Sequence, residues 1–262
     1  MRHGKLAALA GFGAATATIT TAAASHCASS SKPVWTLQYF PIPGVPGEIV
    51  RLMLALGGEE WTDERVPGSK WAGLKPTTPY GKMPVLTSSD GAVLTQSRAI
   101  AHYFAKRIRV QGALLYPEDP WEAYKVDEFI EALEDVRGLI SKTFAIKDQA
   151  DKEAARAALF ATDGSGAVFE GFKKIEALCP PGGKMVGGRV TLADAWLFVT
   201  VNQLRAGWMD GVPADGWMDK LPKLKAVVAT VSAVPEVRKY YEANKAMTVM
   251  GKQVYLPHAG AK

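Results

Sequence analysis

The feature that most constrains the fold is a change in residue periodicity between the two halves of the chain. From Val34 to Arg107, short β-branched and aromatic runs alternate with helical patterns, whereas beyond about Pro117 only helical periodicity remains. Short runs rich in β-branched and aromatic residues predict strands, and apolar residues three and four apart predict helices. We therefore expect an α/β plus all-α chain, in which a sheet-containing domain is followed by a domain of helices.

The strands and helices of the first half follow a thioredoxin-like order. Residues 34–40 are predicted as a strand, the prolines and glycines of 41–47 as a loop, and Glu48 as the start of a helix that Gly57-Gly58 ends. The remaining predicted elements are a strand at 60–66, an irregular stretch to 80, strands at 83–86 and 92–95 joined by a turn at 89–91, and a helix at 97–107. This order is β-α-β, a connection, and then β-β-α.

The second half is predicted to be entirely helical. Its helical segments are 121–142, 152–161, 168–178, 192–204 and 221–230. Thr191 and Asp194 form a T-x-x-D pattern, which resembles a capping box at a helix start. The expected organisation is an N-terminal segment at 1–33, a thioredoxin-like domain at 34–110, a linker at 111–120, an all-α domain at 121–250 and a tail at 251–262.

The first thirty-three residues have the composition of a targeting segment. They contain Arg2, Lys5 and Lys32 but no acidic residue, and they are rich in alanine, glycine and threonine. A short basic start and small residues near Ala22–Ala24 fit a secretory signal, whereas the hydroxyl-rich composition fits mitochondrial-type import. A disordered extension on a cytoplasmic protein is the third interpretation. Threonines interrupt the apolar run, so we expect no stable membrane span.

The charges and cysteines exclude several functional classes. Without the three cations of the N-terminal segment, 28 basic residues face 26 acidic residues, a net charge of +2. The remaining charges alternate in sign along the helices, which argues against a nucleic-acid partner. The two cysteines and four histidines have no metal-ligand spacing, so we expect no metal.

Three blocks of sequence resemble the cytosolic glutathione S-transferases. They are LQYFPIPG with the following GEIVRLMLALGGEEWTDERV, WAGLKPTTPYGKMPVL, and LTQSRAIAHYFAKR. The C-terminal half agrees through GGRVTLADAWL and LPKLKAVVATVSAVPEVRKYY. The sigma-type branch, which includes glutathione-dependent prostaglandin D synthases and lens S-crystallins, is the most similar. The resemblance covers residues 34 to about 245, and it implies glutathione as co-substrate, no separate cofactor and a homodimer.

The resemblance implies that Tyr39 is the catalytic tyrosine. A free thiol has a pKa of about 8.5, so a neutral-pH reaction needs a group that favours the thiolate of glutathione. A hydroxyl that donates a hydrogen bond to the sulfur lowers the thiol pKa. Tyr39 stands at the end of the first predicted strand, where it would be the donor to the sulfur and not a nucleophile.

The resemblance also implies a binding frame for the rest of glutathione. Trp71, Lys75 and Lys82 match positions at its glycine end, and Gln96 and Ser97 match the pair at its γ-glutamyl end. Ser97 at a helix N-terminus would favour a carboxylate. A further match is the Met83–Pro84 step, where a cis bond would present the Met83 backbone to the cysteinyl unit.

Two further sets of residues complete the expected site. Asp135 matches an acidic residue that reaches across a dimer interface toward the amino group of the ligand. Phe40, which is also expected to contact glutathione, would form the wall of a pocket for a small hydrophobic electrophile together with Ile42 and Val45.

One departure from the sigma-type pattern bears on activity. The loop after Tyr39 has no arginine at 44–48, where that pattern has one that supports the tyrosine and thiolate. Loss of this charge should raise the thiol pKa. The expected activity is conjugation of glutathione to electrophiles, with glutathione-dependent isomerase or peroxidase chemistry as variants. The alternative is a non-catalytic glutathione-binding or crystallin-like protein.

Overall fold

The first half of the chain forms a four-stranded sheet with three helices. The computed structural model describes residues 32–244, 246–249 and 252–255, so nearly all of the predicted targeting segment at 1–33 lies outside the described residues. The elements are β1 (Trp35–Tyr39), α1 (Val45–Leu56), β2 (Trp61–Arg65), α2 (Gly68–Leu74), β3 (Val85–Ser88), β4 (Val93–Thr95) and α3 (Ser97–Ala105). Their sheet order is β2-β1-β3-β4, with β1 and β2 parallel and the other pairs antiparallel. The predicted thioredoxin-like order is confirmed.

The first helix begins earlier than the sequence predicts. We expected it to start at Glu48, but α1 begins at Val45, with Pro46 in its first turn and Gly44 as an extended N-cap. Proline is well tolerated there because its missing N–H would have no partner within the helix. The backbone N–H of Val45 donates to Oε1 of Gln203 at 2.9 Å, so a distant side chain satisfies the helix start.

The connection between β2 and β3 contains structure that the periodicity did not indicate. The stretch predicted as irregular holds α2 and two short 3₁₀ turns at Lys75–Thr77 and Pro79–Gly81. None of the α2 residues is buried. Because the helix has no apolar face against the core, it lacks the pattern that predicts an amphipathic helix.

The second half is a bundle of helices that follows a small hairpin. The hairpin pairs β5 (Arg109–Val110) with β6 (Ala113–Leu114). The helices are α4 (Pro120–Ser141), α5 (Gln149–Leu159), α6 (Ala167–Leu178), α7 (Leu192–Arg205), α8 (Pro222–Ser232) and α9 (Pro235–Ala243). A final hairpin pairs β7 (Ala246–Val249) with β8 (Lys252–Tyr255). The sequence analysis predicted neither hairpin, nor a helix over 235–243.

One hydrophobic core joins the sheet domain to the helices. Helix α1 packs against α3 on one side and against α7 and α9 on the other. Helix α7 is the most deeply buried helix, and its start is the predicted capping box, with Asp194 accepting hydrogen bonds from the backbone N–H and hydroxyl of Thr191. This packing places the start of α1, just after β1, beside α7 of the helical domain. No helix in the described part of the chain has both the length and the apolar character needed to cross a bilayer.

Candidate functional site

Tyr39 is the last residue of β1 and lies on the buried face of the sheet. Burial alternates along this strand, so Trp35, Leu37 and Tyr39 share the face that packs against the helices. The Tyr39 side chain is only 6% exposed. Its ring makes an edge contact with Phe40 at a centroid distance of 5.7 Å, and Phe40 makes a similar contact with Trp71 at 5.6 Å. Three of the predicted site residues therefore form one aromatic row.

The start of α1 is built to accept the Tyr39 ring. A Cβ atom at Gly47 would lie 2.0 Å from Cδ1 of Tyr39, and a Cβ atom at Gly44 would lie 2.8 Å from its hydroxyl oxygen. Any larger side chain at Gly47 would collide with the ring, because real Cβ atoms do not approach other atoms so closely. The loop without an arginine therefore provides the surface on which the tyrosine lies.

The environment of Tyr39 keeps its hydroxyl protonated. Burial raises the pKa of Tyr39 to about 12, against the opposing effects of Arg51, Arg137 and a backbone hydrogen bond from Gly47. A phenol with this pKa is neutral at physiological pH and can donate its proton in a hydrogen bond. The hydrogen bond from Gly47 uses an acceptor position of the oxygen, which leaves the O–H group able to donate elsewhere.

Arg51 of α1 is the centre of a buried charge cluster beside Tyr39. Its Cζ atom lies 5.7 Å from the Tyr39 ring centroid, and the side chain is 0% exposed. The guanidinium donates to both carboxylate oxygens of Asp63 at 3.1–3.2 Å and to Glu48 at 3.2 Å. The hydroxyl of Tyr240, from α9, donates to the other oxygen of Glu48 at 3.2 Å.

The same guanidinium fixes the backbone that follows Tyr39. Its two terminal nitrogens lie 3.4 Å from the carbonyl oxygens of Ile42 and Phe40. Although burial disfavours the charged form, Glu48 and Asp63 raise the pKa of Arg51 above its ordinary value. Arg51 therefore stays charged and joins β1, α1 and β2 around the tyrosine.

A cavity of about 210 Å³ opens where β3 begins and β4 ends, beside the segment that follows Tyr39. Five of the predicted residues line it, namely Lys82, Met83, Pro84, Gln96 and Ser97. The Met83–Pro84 bond is cis, as the sequence analysis predicted. Pro46, Pro79, Tyr80, Thr95 and Arg137 complete the lining. Among the described residues that line it, none is acidic.

The backbone of Gln96 marks this cavity as a specialised site. Gln96 has φ 66° and ψ 103°, in the left-handed region of φ that residues other than glycine rarely adopt. Such a conformation costs roughly 1–3 kcal/mol and is concentrated at functional sites. It precedes Ser97, the first residue of α3, whose N-terminus has no side-chain cap. The free N–H groups of a helix start can bind an anion.

The remaining predicted residues lie outside the cavity lining. Lys75 is exposed, and its side chain passes within 3.7 Å of the position of a Gly81 Cβ atom. Ile42 is half-buried and Val45 is fully buried in the core, whereas Pro46, in the first turn of α1, lines the cavity. Asp135 is exposed on α4.

Sequence reasoning missed Arg51 and Arg137. Arg51 follows Glu48 by three residues on an otherwise apolar helix face, and this E-x-x-R spacing was the signal that could have revealed the buried pair. Arg137 likewise follows Glu134 by three residues. Nothing in the sequence of α4, however, indicates that Arg137 faces a cavity whose other lining residues lie 40 or more residues earlier in the chain.

Within 32–244 and the two terminal strands, no group of three or more histidine, cysteine, aspartate or glutamate side chains could hold a metal ion. The buried Cys179 is a free thiol far along the chain from Tyr39, and burial raises its pKa to about 11.

Comparison with protein families gives two matches that cover most of the described chain. The glutathione S-transferase N-terminal domain matches residues 47–107, and the glutathione S-transferase C-terminal domain matches residues 134–244. The first match contains Glu48, Arg51 and Asp63 and the cavity residues from Pro79 to Ser97, and the second contains Arg137.

Individual relatives agree with the family matches. The chain is 30% identical over 213 residues to probable glutathione S-transferase 7 of Caenorhabditis elegans, covering 79% of this chain and 95% of the relative. It is 30% identical over 210 residues to hematopoietic prostaglandin D synthase of Gallus gallus, covering 80% and 96%. Among solved structures, prostaglandin synthase D of Nilaparvata lugens superposes with a TM-score of 0.67 at 29% identity, covering 80% of this chain and 98% of that one.

Proposed function

Because the chain belongs to the glutathione S-transferase family, we propose that Tyr39 is the hydrogen-bond donor through which it activates glutathione. Transfer of glutathione to electrophiles is the activity that the family supports. The observation that carries our assignment of residues is the cavity beside the Tyr39 loop, which brings together Lys82, Met83, Pro84, Gln96 and Ser97.

The lining of the cavity suits the polar groups of glutathione. The γ-glutamyl carboxylate would accept hydrogen bonds from the uncapped N-terminus of α3 at Ser97. The cysteinyl unit would pair with the backbone of Met83, as an added strand pairs with a sheet edge. Lys82, with Lys75 and Trp71 nearby, would hold the glycine carboxylate. Glutathione is the co-substrate, and this scheme needs no separate cofactor.

The chemistry at the sulfur follows from the neutral Tyr39. The thiol proton leaves to solvent, and the Tyr39 hydroxyl donates a hydrogen bond to the resulting thiolate, which lowers the thiol pKa. The thiolate then attacks an electrophilic carbon, so that a C–S bond forms. With an aryl halide, the halide departs with the electron pair of the broken bond. Tyr39 itself forms no covalent bond.

A glutathione resin and one variant test this proposal. Wild-type protein should be retained on glutathione-agarose and should conjugate an aryl halide. Tyr39→Phe should lower kcat by about 10²-fold, because one donor to a developing anion is lost. Its affinity for glutathione should change by less than about threefold, since the hydroxyl acts mainly on the thiolate.

Two outcomes would contradict it. Retention of the wild-type protein without turnover from neutral to mildly alkaline pH would indicate a glutathione-binding protein without transfer chemistry. Unchanged turnover in Tyr39→Phe would remove the tyrosine from its role.

Isomerisation of a prostanoid-like peroxide is a second candidate reaction. It is favoured by the similarity to the two prostaglandin D synthases named above. Isomerisation returns glutathione unchanged, whereas conjugation consumes it. Measurement of residual glutathione during turnover of each substrate therefore separates the two reactions.

We also infer that the protein acts as a homodimer. The amino group of the γ-glutamyl end needs an acceptor, yet no described residue of the cavity lining is acidic. Asp135 is exposed on α4 and has no ion-pair partner within the described residues, so it could serve the cavity of a second copy. Sedimentation velocity should give the mass of two chains, and a monomer that binds glutathione with full affinity would contradict this inference.

A further inference from the structure

The loop that contacts Tyr39 provides no positive charge for a thiolate. Residues 44–48 contain no lysine or arginine. The nearby Arg51 is charged but balanced, since Arg51 and Arg65 form ion pairs with the carboxylates of Glu48 and Asp63. Two arginines and two carboxylates leave this partly buried cluster with no net charge, so it has less capacity than an unbalanced arginine to stabilise a further anion.

Arg137 approaches the same place from the helical domain. It lines the cavity together with Pro46, Met83, Gln96 and Ser97, and its side chain is 30% exposed. Its charge also acts on Tyr39, where it opposes the rise in pKa caused by burial. A guanidinium at this point therefore lines the expected ligand cavity and is near enough to Tyr39 to influence the pKa of its hydroxyl.

Hydrogen bonds within the helical domain fix the orientation of the Arg137 side chain. Its Nε atom lies 2.9 Å from both carboxylate oxygens of Glu134, and its Nη2 atom lies 2.5 Å from one of them. Glu134 in turn accepts a hydrogen bond at 3.0 Å from Nε1 of Trp196, which is 1% exposed on α7. A bidentate pair has a defined geometry, and a buried indole restrains it further. Nη1 has only a long contact of 3.5 Å with Ser141.

We propose that Arg137, oriented by Glu134 and Trp196, supplies the positive charge that stabilises the glutathione thiolate at Tyr39. The proposal rests on the assignment of Tyr39 as donor to the sulfur. Arg137 acts through space on the pair formed by Tyr39 and the sulfur, which makes it a positioning residue. Its charge comes from the helical domain and not from the loop after β1.

The proposal concerns a pH-dependent step, so all charged groups around Tyr39 matter. Helix α1 contributes Glu48 and Arg51, β2 contributes Asp63, and α9 contributes the neutral Tyr240. Helix α4 contributes Glu134 and Arg137, and the turn before β3 contributes Lys82. Of these side chains, Arg137 is the one that lines the cavity and also shifts the pKa of Tyr39, so its removal tests the charge directly.

The experiment compares four forms of the full chain: wild type, Arg137→Gln, Arg137→Lys and Arg98→Gln. Arg98 is a matched control, because it also pairs with a glutamate of α4, Glu131, but is more exposed than Arg137. For each form, the ultraviolet absorbance of the bound glutathione thiolate and the rate of conjugation to an aryl halide are titrated against pH. Thermal melting and glutathione affinity check that each variant is folded.

We expect Arg137→Gln to shift the thiolate midpoint upward by about half to one pKa unit, as loss of a nearby opposite charge does. The rate at neutral pH should fall about three- to tenfold and recover at alkaline pH, since one unit of pKa changes the thiolate fraction about tenfold. Arg137→Lys should retain most of the wild-type behaviour, and Arg98→Gln all of it.

An unchanged thiolate midpoint in a folded Arg137→Gln would overturn the proposal, as would a loss of rate that does not recover with pH. These results leave the role of Tyr39 intact. A wild-type protein that binds glutathione but forms no thiolate at neutral pH would instead contradict the proposed function itself, and the role of Arg137 with it.

Discussion

Two arginines act on Tyr39, and their surroundings differ in almost every respect. Arg51 is fully buried, is paired with two carboxylates and donates to the backbone carbonyls of Phe40 and Ile42 just after Tyr39. Arg137 is 30% exposed, is paired with one carboxylate and lines an open cavity. Both lower the pKa of Tyr39 against the effect of burial.

The difference indicates a division of roles between the two domains. A buried and balanced cluster cannot respond to a ligand, but its many partners fix the geometry of the backbone around the tyrosine. A charge at the edge of a cavity contributes little to stability, because solvent screens it, yet it can act on whatever enters the cavity. We therefore expect the sheet domain to set where the hydroxyl lies and the helical domain to adjust the charge that the hydroxyl and the sulfur experience.

The largest expected effect is on folding, at Arg51. Replacement of Arg51 by methionine would leave the buried carboxylate of Glu48 and the half-buried carboxylate of Asp63 without their common partner. Removal of one partner from a buried ion pair typically lowers the free energy of unfolding by roughly 3–5 kcal/mol. Urea denaturation followed by tryptophan fluorescence measures this loss.

Arg65→Gln is the control for the Arg51 variant. Arg65 pairs with the same Asp63 but is 30% exposed, so its removal should cost less than about 1 kcal/mol. Equal losses of unfolding free energy in the two variants would show that the burial of Arg51 does not distinguish it from the more exposed Arg65.

A smaller effect on stability, and a direct effect on activity, is expected at Gly47. The added methyl group of Gly47→Ala would lie 2.0–2.5 Å from three atoms of the Tyr39 ring, so the ring or α1 must move. Overpacking of this kind costs roughly 1–3 kcal/mol. The conjugation rate should fall by about tenfold or more, because a displaced donor no longer meets the sulfur.

Gly138→Ala provides the matched glycine control. Gly138 lies inside α4, and a Cβ atom there would meet no other atom within 4 Å. Alanine should raise the free energy of unfolding by about 0.5–1 kcal/mol through its higher helix propensity. If Gly47→Ala behaves like Gly138→Ala in both stability and rate, the close contact of Gly47 with Tyr39 does not affect activity.

The smallest expected effect is a dependence of the thiolate midpoint on salt. The Debye length falls from about 10 Å at 0.1 M to about 3 Å at 1 M ionic strength, so salt screens exposed charges far more than buried ones. We expect the midpoint of bound glutathione to rise by about 0.2–0.4 units over this range in the wild type, because the effect of Arg137 weakens. In Arg137→Gln the rise should largely disappear. An equal rise in both forms would assign the salt effect to other groups, such as Lys82.

The parts of the fold with strong local signals could be predicted from the sequence. The alternation of Trp35, Leu37 and Tyr39 indicates the strand, and the T-x-x-D pattern at Thr191 indicates a helix start. Helix α2 could not be predicted in this way, because it buries none of its residues. Helix α9 is short, and it is held by contacts with α1, including the hydrogen bond from Tyr240 to Glu48, 192 residues apart.

The features of the candidate site also divide into those with a local sequence signal and those without one. The residues of the glutathione frame lie close together in sequence, and their resemblance to a known family predicted them as a set. The cavity lining contains Met83, Pro84, Gln96 and Ser97, which agrees with that set. The strained backbone of Gln96 and the complete burial of Val45 had no sequence signal, since both depend on neighbours that the fold brings together.

The sequence by itself determined the thioredoxin-like order of the first half, the helical character of most of the second half, the family and the position of Tyr39 at a strand end, because each depends on local patterns of residues. Only the tertiary structure decided what surrounds the hydroxyl of that tyrosine. Gln203 allows α1 to begin at Val45, and Arg137 brings a charge from a different domain. The physical reason is that steric contact and Coulomb interaction depend on distance in space, which the separation of residues along the chain does not specify.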